Sequence, residues 1–269
     1  MNFSAILGVM AALAVTYFTV TSSKSSAVFF DVHGMVIVIG GTFTVALLCF
    51  PFGRLFGACK IVFRKMLGKS KAQALKNIGY IVTAAQAYRT NPKSALDGLP
   101  KDAHPFLMDA MKYLIESGFN AHELDDILSN AIDAKKKRDN EEIKVWQTIA
   151  RFPPAFGLLG ATVGMISLLQ TLSEPGAQDH IGGHMATALV ATFYGLVCAN
   201  LIFIPIGENL AEVSAEDLVI RKVIREGVLL LQQKKHPLYI EEFLKCFLAP
   251  SQRNVEMSAG GKGGTAKAA

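Results

Sequence analysis

Charge is what this chain lacks. Only 18% of its 269 residues are Asp, Glu, Lys or Arg, against about a quarter in an average soluble domain. The shortage is concentrated: residues 1–23, 32–53, 152–173 and 180–207 contain none at all. Those stretches run from 22 to 28 residues, and a helix needs roughly 20 mostly apolar residues to cross the hydrocarbon core of a bilayer. Cysteine is scarce as well. Cys49, Cys59, Cys198 and Cys246 share no C-x-x-C spacing, which argues against both a disulfide framework and a zinc site. No G-x-S-x-G, H-E-x-x-H or Walker pattern occurs, so nothing marks an enzyme, and no cofactor or metal is expected. These absences exclude a soluble enzyme, a disordered chain and a secreted disulfide scaffold.

What remains is strongly apolar: 51% hydrophobic residues and a mean hydropathy of +0.33. The expected fold class is all-α, a polytopic membrane protein with four transmembrane helices and a helical cytoplasmic domain. Basic residues give the orientation. Lys24 stands alone between the first two charge-free runs, residues 54–151 hold 17 Lys and Arg, residues 174–184 hold none, and residues 208–269 hold nine. Basic residues stay on the cytoplasmic side, so both termini and the 54–151 segment are expected in the cytoplasm and the two short loops outside. The Phe3–Val20 run has no basic residues ahead of it and no small-residue cleavage site after it, and reads as an uncleaved first span. The predicted organisation is 1–53, spans one and two; 54–151, the cytoplasmic helical domain; 152–207, spans three and four; 208–255, cytoplasmic C-terminal helices; and 256–269, a disordered tail of Gly, Ala, Lys and Ser. Juxtamembrane charge accounts for the net +5, and no nucleic-acid partner is needed.

The polar segments carry helical periodicity. Ala74, Leu75, Ile78, Ile81, Val82 and Ala85 form one stripe within Lys71–Tyr88, closed by the turn Arg89-Thr90-Asn91-Pro92. A second helix is expected from Pro105 through Glu116, ending at Ser117-Gly118. Asn120 followed by Glu123 resembles a capping box opening a third. That helix carries Lys135-Lys136-Lys137-Arg138 and Asp139, Glu141 and Glu142, a mixed run that reads as a solvated face. After span four, Glu208–Lys235 reads as one long helix, followed by a short one over Leu238–Leu248.

Spans three and four hold the candidate chemistry. Gly157, Gly160, Ala161 and Gly164 recur at three- and four-residue intervals, as do Ala188, Ala191, Thr192, Gly195 and Ala199. Such small-residue faces permit close helix approach where lipid gives no hydrophobic drive; they serve packing within the chain or an assembly interface. Thr187, Tyr194 and Asn200 must find partners at that depth. Thr162 and Thr192 either bond back to their own helices or share a polar path. Pro153-Pro154 opens span three, where proline is tolerated, whereas Pro205 lies inside a continuing helix and permits a bend. Each is a cap or a hinge. Pumps and transporters usually carry titratable residues within their spans, and here none does. If this chain moves an ion, the titratable group belongs to a partner.

The order and spacing of several motifs resemble the flagellar stator subunits of the MotA/TolQ/ExbB group. They are Asp31-Val-His-Gly with Ile37-Val-Ile-Gly-Gly-Thr42, Pro154-Ala-Phe-Gly-Leu-Leu-Gly160, Ala188-Leu-Val-Ala-Thr-Phe-Tyr-Gly195 and Phe203-Ile-Pro205-Ile. The resemblance covers about residues 3 to 250. It implies a bacterial inner-membrane ring of five such chains around a MotB-type subunit that carries the membrane aspartate, with ion flow driving torque on the rotor protein FliG. Pro154 and Pro205 match the family's coupling prolines, and Arg89 and Asp97 its rotor-contact charges. Along the ion path, Ala161 and Ala191 stand where sodium-driven relatives tend to have threonine, with Thr162 displaced by one position and Thr192 retained. That loss of hydroxyls argues for protons. Thr90 stands where the family has a second basic residue. Two other readings stay open: a TolQ- or ExbB-type energiser of an envelope process, and a membrane scaffold that conducts nothing.

Overall fold

The computed structural model describes residues 3–22, 29–66, 73–100, 102–172 and 178–248. The expected tail at 256–269 lies outside them, as does Lys24. Among the described residues every element is helical and no strand occurs. Three helical runs are long and apolar enough to cross a membrane: Val32–Cys49, Ala121–Thr171 and Ile181–Gln232. A further helix, α1 (Phe3–Thr21), is 19 residues long and free of charge. The chain divides into two compact units, 1–68 with 138–213 and 69–137 with 214–269. Both divisions inside the sequence's second half fall within 29-residue helices, α8 (Ala121–Ile149) and α11 (Ile204–Gln232).

The first unit holds the apolar helices. Asp31 caps α2 (Val32–Met35) by accepting from the His33 amide at 2.9 Å. The helix then passes through a π-helical turn, Val36–Gly40, into α3 (Gly41–Cys49). Helix α4 (Phe52–Met66) follows and is amphipathic: Leu55, Ala58, Ile61 and Val62 lie at least half-buried on one side, whereas Arg54 and Lys60 are exposed. Helix α9 (Phe152–Thr171) starts just beyond α8, with Pro153 and Pro154 in its first turn. Helix α10 (Gln178–Val197) runs through a second π-helical stretch, Cys198–Phe203, into α11.

The second unit is built around the apolar sides of α5 (Gln73–Thr90), α7 (Pro105–Glu116), the first part of α8, the second part of α11 and α12 (Pro237–Lys245). Ile81, Leu107, Met111, Leu124, Leu128 and Ile224 are fully buried there. Helix α7 has the expected bounds, and the left-handed Gly118 (φ +66°) lies just beyond its end. The capping box forms in full: Asn120 Oδ1 accepts from the Glu123 amide at 2.9 Å, and Glu123 Oε2 accepts from the Asn120 amide at 3.0 Å. One short helix, α6 (Pro92–Asp97), was not expected. Asn91, read as part of a turn, caps it through the Lys93 amide. The long C-terminal helix also begins earlier than expected, because α10 runs into it without a break.

A buried polar network ties this unit together. His104 is the N-cap of α7, its Nδ1 accepting from the Phe106 amide, which leaves Nε2 to carry the proton toward Asp217 Oδ1 at 3.0 Å. Arg221 Nε donates to Asp217 Oδ2 at 2.7 Å and its guanidinium lies 5.0 Å from the centre of the Phe106 ring. Burial pushes the Asp217 carboxyl up, but the bonds from His104 and Arg221 outweigh it and hold the group well below the usual carboxylate range.

Candidate functional site

Small side chains let α9 and α10 approach until backbone meets backbone. A methyl on Gly160 would sit 2.6 Å from the Ala191 Cβ, and one on Gly164 would sit 2.8 Å from the Ala188 Cβ. At Gly195 it would strike the carbonyl oxygen of Pro153, and at Gly157 it would lie 3.0 Å from the carbonyl oxygen of Ala191. Helix α2 joins the seam through Gly34, whose Cα faces Ala191. The two spaced small-residue faces therefore meet each other within one chain. That is the packing role; the faces turned away from the seam, with exposed Leu158, Leu169 and Leu189, remain for lipid or neighbours.

The ion-path candidates separate on this frame. Ala191 is 0% exposed, wedged between Gly160 and Gly34. Beside it, Thr192 Oγ1 lies 3.3 Å from two carbonyl oxygens, Gly157 on α9 and Ala188 on its own helix. Having one proton, it shares the donation and cross-links the seam, while its lone pairs stay available. Thr162 is exposed and donates to Leu159 of its own helix at 2.7 Å. Ala161 is half-buried. Thr162 and Thr192 are not hydrogen-bonded to one another, and the seam contains only the second.

Where α2 begins, a polar cluster forms that periodicity could not reveal. The Tyr194 hydroxyl donates to the Phe29 carbonyl and accepts from the Asp31 amide. The Thr187 side chain lies beside the Asp31 carboxyl, whose Oδ2 is buried without a hydrogen-bond partner. An aspartate ahead of an apolar run reads as a helix cap, and it is one; its partial burial depends on residues about 160 positions away. Asn200 takes the other expected course, donating to Leu196 of its own helix.

The prolines flank a change of helical register. Within Cys198–Phe203 the turn is wide, and the Ile204 amide reaches back five residues to the Ala199 carbonyl. Pro205 comes next, where no amide hydrogen is available. Wide turns of this kind concentrate at functional sites. Phe203 stacks on Trp146 at 6.2 Å, near the end of α8, and Pro153 is buried at the start of α9 with Pro154 half-buried beside it. Both π-helical stretches, Trp146 and Pro153 border one apolar cavity of about 350 Å³.

The two rotor-contact candidates lie in the second unit, both exposed. Arg89, in the last turn of α5, reaches the Lys234 carbonyl at 3.5 Å, at the left-handed turn that ends α11. Asp97 closes α6. No ion pair joins them among the described contacts. Within the charged run of α8, Lys136, Lys137, Arg138 and Glu141 are exposed as expected, but Asp139 is only 2% exposed.

Comparison with known proteins gives the family and the fold. The family model described as the MotA/TolQ/ExbB proton channel family matches residues 100–244. The chain is 29% identical over 257 residues to the chemotaxis protein PomA of Vibrio alginolyticus, covering 96% of this chain and 99% of that one. It is 26% identical over 247 residues to Motility protein A of Aquifex aeolicus, covering 90% and 94% respectively. The solved structure of the flagellar MotAB stator complex from Bacillus subtilis shares the fold with a TM-score of 0.81 and 20% identity, over 93% of this chain and 98% of that chain.

Proposed function

This chain belongs to the MotA/TolQ/ExbB proton channel family, and from that premise we propose that it is the torque-generating membrane subunit of a flagellar stator. It is a channel-family subunit, not an enzyme. In this reading α1 is a fourth span, the termini and the 54–151 segment are cytoplasmic, and the membrane is the bacterial inner membrane. Five copies surround a MotB-type partner. The observation that carries the reading is the α9–α10 seam: its helices are locked backbone to backbone, a hydroxyl lies at its centre, and among the described contacts no acidic or basic side chain enters it. A proton crossing beside such a surface needs its titratable stop from another chain, which a partner aspartate supplies. Thr192 then offers the hydroxyl nearest the path, with Ala161, Ala191 and Thr162 marking where further hydroxyl ligands are missing or displaced. That deficit favours protons over sodium.

Locked seam helices transmit movement as a body, and Pro154 and Pro205 are where that body yields. The cytoplasmic charges Arg89 and Asp97 then act on the rotor protein FliG. Relatives named for motility and chemotaxis favour this over an envelope energiser. The test is a clean deletion in the source organism. Flagellated but paralysed cells, rescued by the gene, are expected. Cells that swim normally and become detergent-sensitive or fail to take up iron would move the assignment to an energiser.

A further inference from the structure

Beneath the amphipathic helix α4 lies the apolar cavity that both π-helical stretches border. The cavity of about 350 Å³ is walled by apolar side chains, among them Ala46, Leu55, Ala58, Val145, Ile149 and Phe203. The slot opens outward past the exposed side chains of Ile39, Phe43 and Ile202, and an apolar recess gives water too few partners to be held. Two of its wall residues, Thr42 and Trp146, also bury Oγ1 and Nε1 without a hydrogen-bond partner. Ala58 and Val145 border a second recess, of about 220 Å³, and there the lining changes to Arg54, Arg138, Glu141 and Glu142. A dry slot and a charged mouth thus adjoin across two shared residues.

The chemistry of the pair is that of an amphiphile with an anionic head. Arg54 is 55% exposed at its side chain and lies 3.8 Å from Glu141, a long pairing that leaves guanidinium donors free. Glu141 and Glu142 share the mouth with the two arginines, Glu141 beside Arg54 and Glu142 with a partner of its own. Two guanidiniums at one mouth suit a phosphate, which Arg binds through paired N–H donors. The slot draws its walls from all three apolar helical runs, and the mouth opens along a basic amphipathic helix, the kind that lies at a lipid interface. We propose that each chain holds one anionic phospholipid, with an acyl chain in the slot and its phosphate on Arg54 and Arg138.

The test uses the full complex with its partner subunit, stripped of lipid and placed in nanodiscs of equal parts phosphatidylglycerol and phosphatidylcholine. Native mass spectrometry should find about one phosphatidylglycerol retained per chain, favoured about tenfold over phosphatidylcholine. The double variant Arg54→Gln/Arg138→Gln, altered at exposed positions, should lose that preference. Ala58→Phe, which fills the slot, should lose both lipids. Should Ala58→Phe fail to insert, the wild type still decides: Cys59 lines the slot and is exposed, so phosphatidylglycerol should slow its maleimide labelling several-fold and phosphatidylcholine should not. Equal retention of the two lipids would mean an unselective groove and overturn the proposal. So would an unchanged preference in the arginine variant, or equal labelling rates in the two lipids.

Discussion

Replacing Gly195 by alanine tests whether the seam is what holds the membrane-spanning helices together. The added methyl meets the Pro153 carbonyl oxygen, with the Pro153 carbonyl carbon at 3.1 Å and the Gly157 Cα at 3.2 Å. All three are backbone atoms, so no rotamer change relieves the contact. Carbon atoms settle at about 3.5–4.0 Å, and α9 must therefore withdraw from α10 by a sizeable fraction of an ångström. Withdrawal loosens Gly160 on Ala191, Gly164 on Ala188 and the Thr192 bond to Gly157 together. Overpacking of this kind costs about 1–3 kcal/mol, and the better helix propensity of alanine returns at most about 1 kcal/mol. Gly79→Ala supplies the control: it is an exposed helical site with nothing within 4 Å of the new methyl, so only the propensity gain applies. Gly41→Ala lies between them, because there the methyl meets a side chain, the ring of Phe156, and not backbone. Thermal melting of the purified complex in one detergent should rank the variants Gly195→Ala least stable, then Gly41→Ala, with Gly79→Ala at or above wild type. A Gly195→Ala protein that melts with the Gly79→Ala control would refute close packing as the reason for the small residues.

Pro154→Leu and Pro205→Leu should each abolish torque in tethered cells while membrane insertion, followed by fractionation, stays normal; full torque in both would remove the hinge role. Arg89→Glu should weaken binding to FliG, most clearly at low ionic strength, where exposed charges are least screened; since Arg89 also touches the Lys234 carbonyl, circular dichroism should verify that the helices survive, and unchanged binding would count against the contact. Asp217→Ala leaves the His104 Nε2 proton, on a side chain 7% exposed, without its acceptor, and should destabilise the protein by roughly 3 kcal/mol. The same carboxyl sets a pH dependence. Its folded-state value is depressed, so its contribution is complete above the unfolded carboxylate value of about 4 and is lost as pH falls below that, through the folded value. Denaturant melts of wild type against Asp217→Ala should converge only in that acid range; convergence near neutrality would show that the His104–Asp217–Arg221 network is not the source.

How much of this was legible in the sequence depends on whether the controlling physics is local. A bilayer imposes a one-dimensional criterion, length without charge, and three of the four charge-free runs fall in helices long and apolar enough to cross a membrane. Capping is equally local, so Asn120 with Glu123 declared the start of α8, and Pro105 with Gly118 bracketed α7. Asn91 shows the limit of that rule: the same Asn-Pro pair that ends one helix caps the next, and only the buried Ala95 that follows makes α6 worth forming. The small-residue faces were visible as spacing, but spacing does not say which face meets which. The choice between packing and assembly needed Ala191 to be seen against Gly160 and Gly34. The π-helical stretches left no mark at all, since an inserted residue in an apolar run changes no composition. The functional consequence follows from that last point. Both wide turns border the cavity that also receives Pro153 and Trp146, so the part of the chain where the helical turn widens is also where an apolar cavity lies. A hinge needs both conditions, because a fully packed wall would resist the shift and an unbroken helix would have no residue to absorb it. Sequence periodicity marks the close-packed seam well; the wide turns and their cavity become apparent only when Phe203 and Trp146, 57 residues apart, are found stacked at 6.2 Å beside them.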